Sequence, residues 1–380
     1  MESFQKPEGS YISYFSNMVK QQGGINLAQG IPGFSPPAEL LKLLSDSLQD
    51  NIHQYAPGSG NFHLINQIAH HYNLPSENLL IVQGATEALS LIYTYIHTIL
   101  NDNFTVLSFE PAYESYLNLP KIFGQEFIHF QLDSNYSYCP DTLSKTIREK
   151  NVRLVFISSP GNPYGKIWGK DELYHLIELS KELNFYFVLD IVYEQLYFKE
   201  PPCLPIEMLN PHLFFVNSFS KMLCITGWRI GYLIADEIHM EKIRSIHDYI
   251  GLCAPSLLQN ALARYLEKND FGSAFTQNFR NNLKRSFDLL VKTLMKVGFS
   301  VPPIQGGCFV WAKLPDNWND GFAFASHLYN KEKVAVIPGE HFSVNHMKWI
   351  RFNIARPEEE ILSACEKIEL FMNKGDSQYK

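Results

Sequence analysis

Ser218-Phe-Ser-Lys221, followed by Thr226-Gly-Trp-Arg229-Ile-Gly231, is the stretch on which the fold of this 380-residue chain turns. It follows the apolar run Leu213–Val216, which reads as a buried strand, so a lysine stands at a strand's C-terminal end. Most lysines are solvated surface charges. One in this position needs a reason, and a Schiff base with an aldehyde cofactor supplies it. The nitrogen is bonded, and the amine, once freed, can carry a proton. The serine hydroxyls and the Arg229 guanidinium suit a phosphate on the same cofactor.

Working outward, short apolar runs alternate with helical patterns. The strand candidates are Leu79–Val82, Thr105–Phe109, Leu154–Ser158, Phe185–Leu189, Leu213–Val216 and Gly231–Ile234. Thr86–Leu100, Lys170–Leu183 and Ile238–Tyr249 have helical spacing. Strands separated by helices predict an α/β fold, a mainly parallel sheet covered on both faces. A long helical stretch follows, about Leu257–Val297. Beyond it Phe309–Lys313, Val334–Ile337 and Trp349–Ile354 read as strands of a smaller sheet, with Phe322–Asn330 and Glu358–Met372 as its helices. The Gly- and Pro-rich residues 1–40 read as an irregular arm folded back on this second unit. The expected division is an arm contributing to the small domain (1–45), a large cofactor-binding domain (46–285) and a small α+β C-terminal domain (286–380), with the boundary inside a helix.

Other residues fall where a ligand at the strand ends would meet them. Asp190 ends the run Phe185–Leu189 and reads as a turn or N-cap aspartate, or as the partner of a protonated pyridine nitrogen. Tyr193, and Asn162 within Ser159-Pro-Gly-Asn-Pro163, could reach a ring oxygen. Gly84-Ala-Thr86 joins a strand to a helix, and the amides of Ala85 and Thr86 at a helix N-terminus favour a phosphate. Tyr113 stands after another strand and could stack on the ring or pack in an aromatic-rich core. Arg351, alternating with apolar residues in Trp349-Ile-Arg-Phe-Asn-Ile354, needs a partner: a substrate carboxylate or an internal ion pair.

In combination these residues resemble the class I/II aminotransferases of the aspartate-aminotransferase fold, fold type I of the pyridoxal 5'-phosphate enzymes. The likeness runs from about Asn26 to Lys367. It rests on Asn-Pro-x-Gly at 162–165, Asp-x-x-Tyr at 190–193, Ser-x-Ser-Lys at 218–221 and Gly-x-Arg at 227–229. It implies that Lys221 is the Schiff-base lysine and proton shuttle, and that Asp190 pairs with the pyridine nitrogen. Asn162 and Tyr193 then bind the ring oxygen, Tyr113 stacks on the ring, and Ser218, Arg229, Ala85 and Thr86 hold the phosphate. Tyr55 would reach the phosphate of a neighbouring subunit, implying a homodimer. Gly30 and Arg351 would bind the α-carboxylate, with Asn162 beside them. The segments 26–34 and 350–355 look most like the kynurenine/glutamine/methionine branch. Tyr249–Gln259, which shapes the side-chain pocket in the family, holds no arginine, so apolar or aromatic amino acids are the expected donors to a 2-oxo acid by a ping-pong mechanism. Gly251, Leu252 and Cys253 would line that pocket. A C–S β-lyase or decarboxylase on the same fold would share every cofactor residue.

Bulk properties agree. A hydrophobic fraction of 46% and a charged fraction of 19% fit a soluble globular protein. A net charge of −7 with no basic cluster argues against nucleic-acid or acidic-membrane binding. Six scattered cysteines without a CxxC pair read as reduced thiols in the cytoplasm, with no metal. The run Leu79–Leu100 is interrupted by Gln83, Glu87 and His97 and reads as a strand and helix rather than a membrane span.

Overall fold

The computed structural model describes residues 5–101 and 103–374. Its strands are β1 (Ile25–Asn26), β2 (Leu79–Val82), β3 (Thr105–Phe109), β4 (Glu126–Phe130), β5 (Val152–Ser158), β6 (Tyr186–Asp190), β7 (Leu213–Ser218), β8 (Gly231–Ile234), β9 (Phe309–Lys313), β10 (Val334–Ala335), β11 (Ile337–Pro338) and β12 (Trp349–Asn353). A seven-stranded sheet has the order β2-β8-β7-β6-β5-β3-β4. All its pairings are parallel except those of β8, which runs antiparallel to both neighbours.

Alternate residues of the apolar runs enter different cores. Leu79, Ile81, Val155, Ile157, Phe187, Leu189 and Phe215 pack on one face, while Leu80, Val82, Leu154, Phe156, Val188, Phe214 and Val216 pack on the other. That two-sided burial is why the runs are continuously apolar rather than alternating. A third core covers the small sheet β11-β12-β9 and takes in Phe15, Leu27 and Ala28 from the N-terminal segment.

The expected α/β class with a mainly parallel sheet and a smaller α+β unit is the observed one. Four local expectations change. Residues 11–22 of the arm form a helix, because Tyr11, Phe15, Met18 and Val19 share a face that packs on the third core. The irregular part of the arm starts at Gly23. The stretch 257–297 is two helices, Ser256–Lys268 and Ser273–Lys296, broken where Phe271 takes φ 54° and stacks on His71 with ring centroids 3.7 Å apart. The run 334–337 splits, β10 pairing in parallel with β1 and β11 pairing antiparallel with β12. Finally, β4 is an additional edge strand. It is only partly buried and carries Glu126 and His129, so no apolar run marks it.

Among the described residues no helix is long and apolar enough to cross a membrane, and all six cysteines are free.

Candidate active site

The register of the large sheet collects the site. Ser158 on β5 pairs with Asp190 on β6, Asp190 with Val216 on β7, and Ser218 with Gly231 on β8. Gly231 also pairs with Val82 on β2. Because β8 is antiparallel, its first residue meets the last residues of its neighbours. The segments 83–86, 110–114, 158–162, 190–193, 218–221 and 229–231 therefore share one sheet edge, the carboxyl edge where open α/β sheets bind ligands.

A cavity of about 230 Å³ opens there. Gly30, Ala85, Thr86, Tyr113, Asn162, Asp190, Tyr193, Ser218, Lys221, Arg229 and Arg351 all line it. Tyr55 does not. It is 82% exposed and lies outside this chain's own cavity. Gly251, Leu252 and Cys253 also lie outside it, against the sequence expectation read for a single chain. Their segment is tied instead to Gln83, whose Nε2 donates to Gly251 O at 3.0 Å.

Lys221 lies in the short helix Phe219–Met222 that caps β7. Its Nζ donates to Gly30 O at 2.6 Å. Burial, aided by Arg351 and Arg229 and opposed by Asp190, pulls its pKa down to about 8. The neutral form, which attacks a carbonyl, is thus far more populated than in an ordinary lysine.

Asp190 is buried, with Tyr116 Oη donating to Oδ2 at 2.7 Å and Val192 N to Oδ1 at 3.1 Å. Burial pushes its pKa up to about 6, against the pull of those two donors and of Lys221. A cationic N–H brought to it would restore the carboxylate. Tyr116 escaped the sequence reading. Its signal is the spacing of one helical turn from Tyr113 in Tyr113-Glu-Ser-Tyr116. Tyr193 keeps its proton, because burial raises its pKa well above the ordinary tyrosine value, and its hydroxyl remains a donor.

At the other end of the cavity the helix Ala85–Leu100 starts at Gly84, whose φ of 85° and ψ of 169° belong to a region essentially reserved for glycine. A Cβ there would stand 2.4 Å from Arg229 Nη2. Arg229 itself has φ 56°, and its guanidinium donates to Thr226 O (3.0 Å) and Gln83 O (3.1 Å). Ser218 Oγ lies 2.7 Å from Ser220 Oγ, which also faces the cavity. Helix-terminal amides, two hydroxyls and a guanidinium make an anion cradle.

Arg351 resolves the choice left open by its sequence. Among the described residues it has no carboxylate within ion-pair distance. Nη1 donates to Asn162 Oδ1 at 2.9 Å and Nη2 to Ala28 O at 2.7 Å. The guanidinium lies 4.1 Å from the Phe309 ring centroid and 4.8 Å from that of Phe342. Its Nε is buried without a partner, and burial lowers its pKa to about 10. A 1% exposed cation held only by neutral acceptors is ready for an anion. Among the described residues no cluster of His, Cys, Asp and Glu could hold a metal ion.

Comparisons with known proteins agree with this geometry. A probable aspartate aminotransferase of Methanocaldococcus jannaschii is 28% identical over 352 residues, covering 90% of this chain and 91% of that protein. The structure of N-succinyldiaminopimelate aminotransferase from Mycobacterium tuberculosis superposes with a TM-score of 0.86 at 26% identity, over 96% of this chain and 97% of its own. A mutant aspartate aminotransferase of Thermus thermophilus shares the fold, with a TM-score of 0.87 at 23% identity over 97% of this chain and 100% of its own. The family model for aminotransferase class I and II matches residues 22–368, and the chain belongs to that family.

Proposed function

We propose that this aminotransferase uses pyridoxal 5'-phosphate to move an amino group from an L-amino acid with an apolar or aromatic side chain to a 2-oxo acid. The observation that carries the reading is the pairing of a buried Lys221, its pKa pulled down to about 8, with an ion-partnerless Arg351 in one cavity. The residues present fit the cofactor: an anion cradle at Gly84–Thr86, Ser218 and Arg229, and a buried acid, Asp190, at the other end. When bound, pyridoxal phosphate supplies an aldehyde that captures amines and a ring that accepts electrons.

The chain's own groups do the rest. Lys221 Nζ would hold the aldehyde and, once free, would take the proton from the substrate α-carbon. Asp190 would accept a hydrogen bond from the ring nitrogen and favour its protonated form. Tyr193 and Asn162 would bind the ring oxygen, and Tyr113 would pack on the ring. Arg351, with Gly30 and Asn162, grips the α-carboxylate and orients the α-hydrogen toward Lys221. Donor and acceptor acids would use the same arginine in turn, as a ping-pong order requires. The names of similar proteins, aspartate and N-succinyldiaminopimelate aminotransferases, leave the donor open between them. Apolar and aromatic donors are favoured by the cavity wall of Ile12, Ile31, Leu89, Val192 and Phe309.

The same reading divides the chain at about residue 285, within the helix Ser273–Lys296, keeps residues 46–285 as the cofactor domain, and places the enzyme in the cytoplasm as a homodimer. Tyr55 then serves the partner's phosphate site.

A donor–acceptor matrix tests the function. Oxo acid should appear from apolar or aromatic donors in ping-pong kinetics, and Lys221→Ala should lower kcat by at least about a thousandfold. Ammonia released in step with oxo acid, or a clear preference for aspartate, would redirect the assignment.

A further inference from the structure

Two carboxylates line the cavity, Asp190 and Glu114. Both oxygens of Asp190 are already bonded, to Tyr116 and Val192. Glu114 is different. It opens the helix Glu114–Ile122, directly after Tyr113. Its Oε2 accepts from Ser10 Oγ at 3.0 Å and pairs with His341 Nε2 at 3.0 Å. Its Oε1 has no hydrogen-bond partner among the described residues, and the side chain is 22% exposed.

The carboxylate is fixed from two directions. Ser10 begins the N-terminal helix, whose Ile12 also lines the cavity. The His341 side chain is 7% exposed and stacks on Tyr11 of that helix, with centroids 5.6 Å apart. Burial opposes ionisation of Glu114, but His341, Ser10 and Arg351 hold its pKa below the usual glutamate value. An ionised, immobilised acceptor therefore lines the cavity together with the apolar Ile12, Ile31, Val192 and Phe309 and the uncharged Gln29. The cations lining the same cavity are Lys221, Arg229 and Arg351, and each is already engaged by the reaction proposed above.

We infer that Glu114 is a specificity-determining residue: its free Oε1 accepts a hydrogen bond from a substrate side chain that ends in an N–H donor, and its charge rejects a side chain that ends in a carboxylate. This rests on the transaminase reading. The competing role is a distant counter-charge for Arg351. Such a counter-charge acts alike on every substrate, because all bring the same α-carboxylate. A side-chain selector acts unequally.

Glutamine and glutamate have the same shape and differ at the terminal group, so their ratio isolates the effect. With the holoenzyme and one common 2-oxo acid, kcat/KM for glutamine should exceed that for glutamate by at least about tenfold. Glu114→Gln should shrink that ratio by about tenfold or more, chiefly through KM, and Glu114→Asp should keep its direction. An arm that needs neither a variant nor turnover uses succinamate and succinate as inhibitors or spectral ligands of the wild-type holoenzyme. Succinamate should bind about tenfold more tightly. Equal binding of the two, a preference for glutamate, or a ratio unmoved in Glu114→Gln would each overturn the inference. Failure of every donor to yield oxo acid would instead overturn the transaminase reading, while the inhibitor pair still judges Glu114.

Discussion

Glu194, next in sequence to Tyr193, is 3% exposed and forms no ion pair among the described residues. Its Oε1 takes hydrogen bonds from Tyr72 and from Asn217 Nδ2 (2.9 Å), while Oε2 is buried without a partner. Burial outweighs those donors and pushes its pKa up to about 7 from 4.5. The folded protein therefore binds a proton at this site that the unfolded chain has lost between those two values. The stabilising contribution is complete below about pH 4.5 and is lost as pH rises through 7. Glu194→Gln should remove this dependence. Relative to wild type it should gain on the order of 1–3 kcal/mol on going from pH 4.5 to pH 8, read from chemical denaturation at the two pH values. An unchanged difference would show that the carboxyl is already ionised at pH 5. Asn217 Oδ1 in turn accepts from Ser218 N at 2.7 Å, so the same network holds the turn that presents Lys221. Glu194 has no signal in the sequence, and Tyr116 only its one-turn spacing from Tyr113. Lys221, Asp190 and Asn162 stand at strand ends flanked by turn residues, where a polar side chain is conspicuous. Glu194 and Tyr116 act from behind, and their burial is decided by elements remote in sequence.

At the scale of elements, the carboxyl edge depends on β8 returning against its neighbours, which brings Arg229 onto the start of the helix Ala85–Leu100. Gly84→Ala would place a methyl group against that guanidinium and force a glycine-only conformation on alanine. A loss of about 1–3 kcal/mol in stability is expected, together with weaker cofactor binding as the cradle opens. Thermal melts and a cofactor titration measure both. A variant with wild-type affinity would remove Gly84 from the phosphate site. Elements with a strong apolar pattern are legible: the amphipathic helix Lys170–Leu183 has the bounds its spacing predicts, and the inner strands lie within a residue or two of their apolar runs. The edge strand β4 is not, since its outward residues are polar. The break runs through Asp270, Phe271 and Gly272, all with positive φ; Gly272 is its only local signal, and stacking on His71 holds Phe271.

For the whole molecule, four of the well-exposed large apolar side chains fall on two neighbouring segments. Tyr249 is 91%, Tyr55 82%, Phe62 66% and Ile250 57% exposed. Ser256 Oγ donates to Gln54 O, and Gly58 lies against Asp248, so the segments carrying these residues adjoin. Such a patch suits a second copy of the chain. Sedimentation should give about twice 43.7 kDa. Tyr249→Arg should shift the equilibrium toward monomer, and Tyr55→Phe should weaken cofactor binding while leaving the dimer intact. A monomer at micromolar concentration would remove Tyr55 from the neighbouring site.

The two-residue strand β1 has a further consequence. Its partner is β10, so Ile25 waits for Val334, and the Arg351 bond to Ala28 closes a span of 323 residues. On the ribosome the amino-terminal end emerges first yet finds its seat last. The growing polypeptide can assemble the seven-stranded sheet and even present Lys221 before the grip on a substrate exists. A nascent chain halted before residue 351 would then carry the nucleophile without the means to orient an amino acid. Synthesis itself delays turnover until Arg351 has been added.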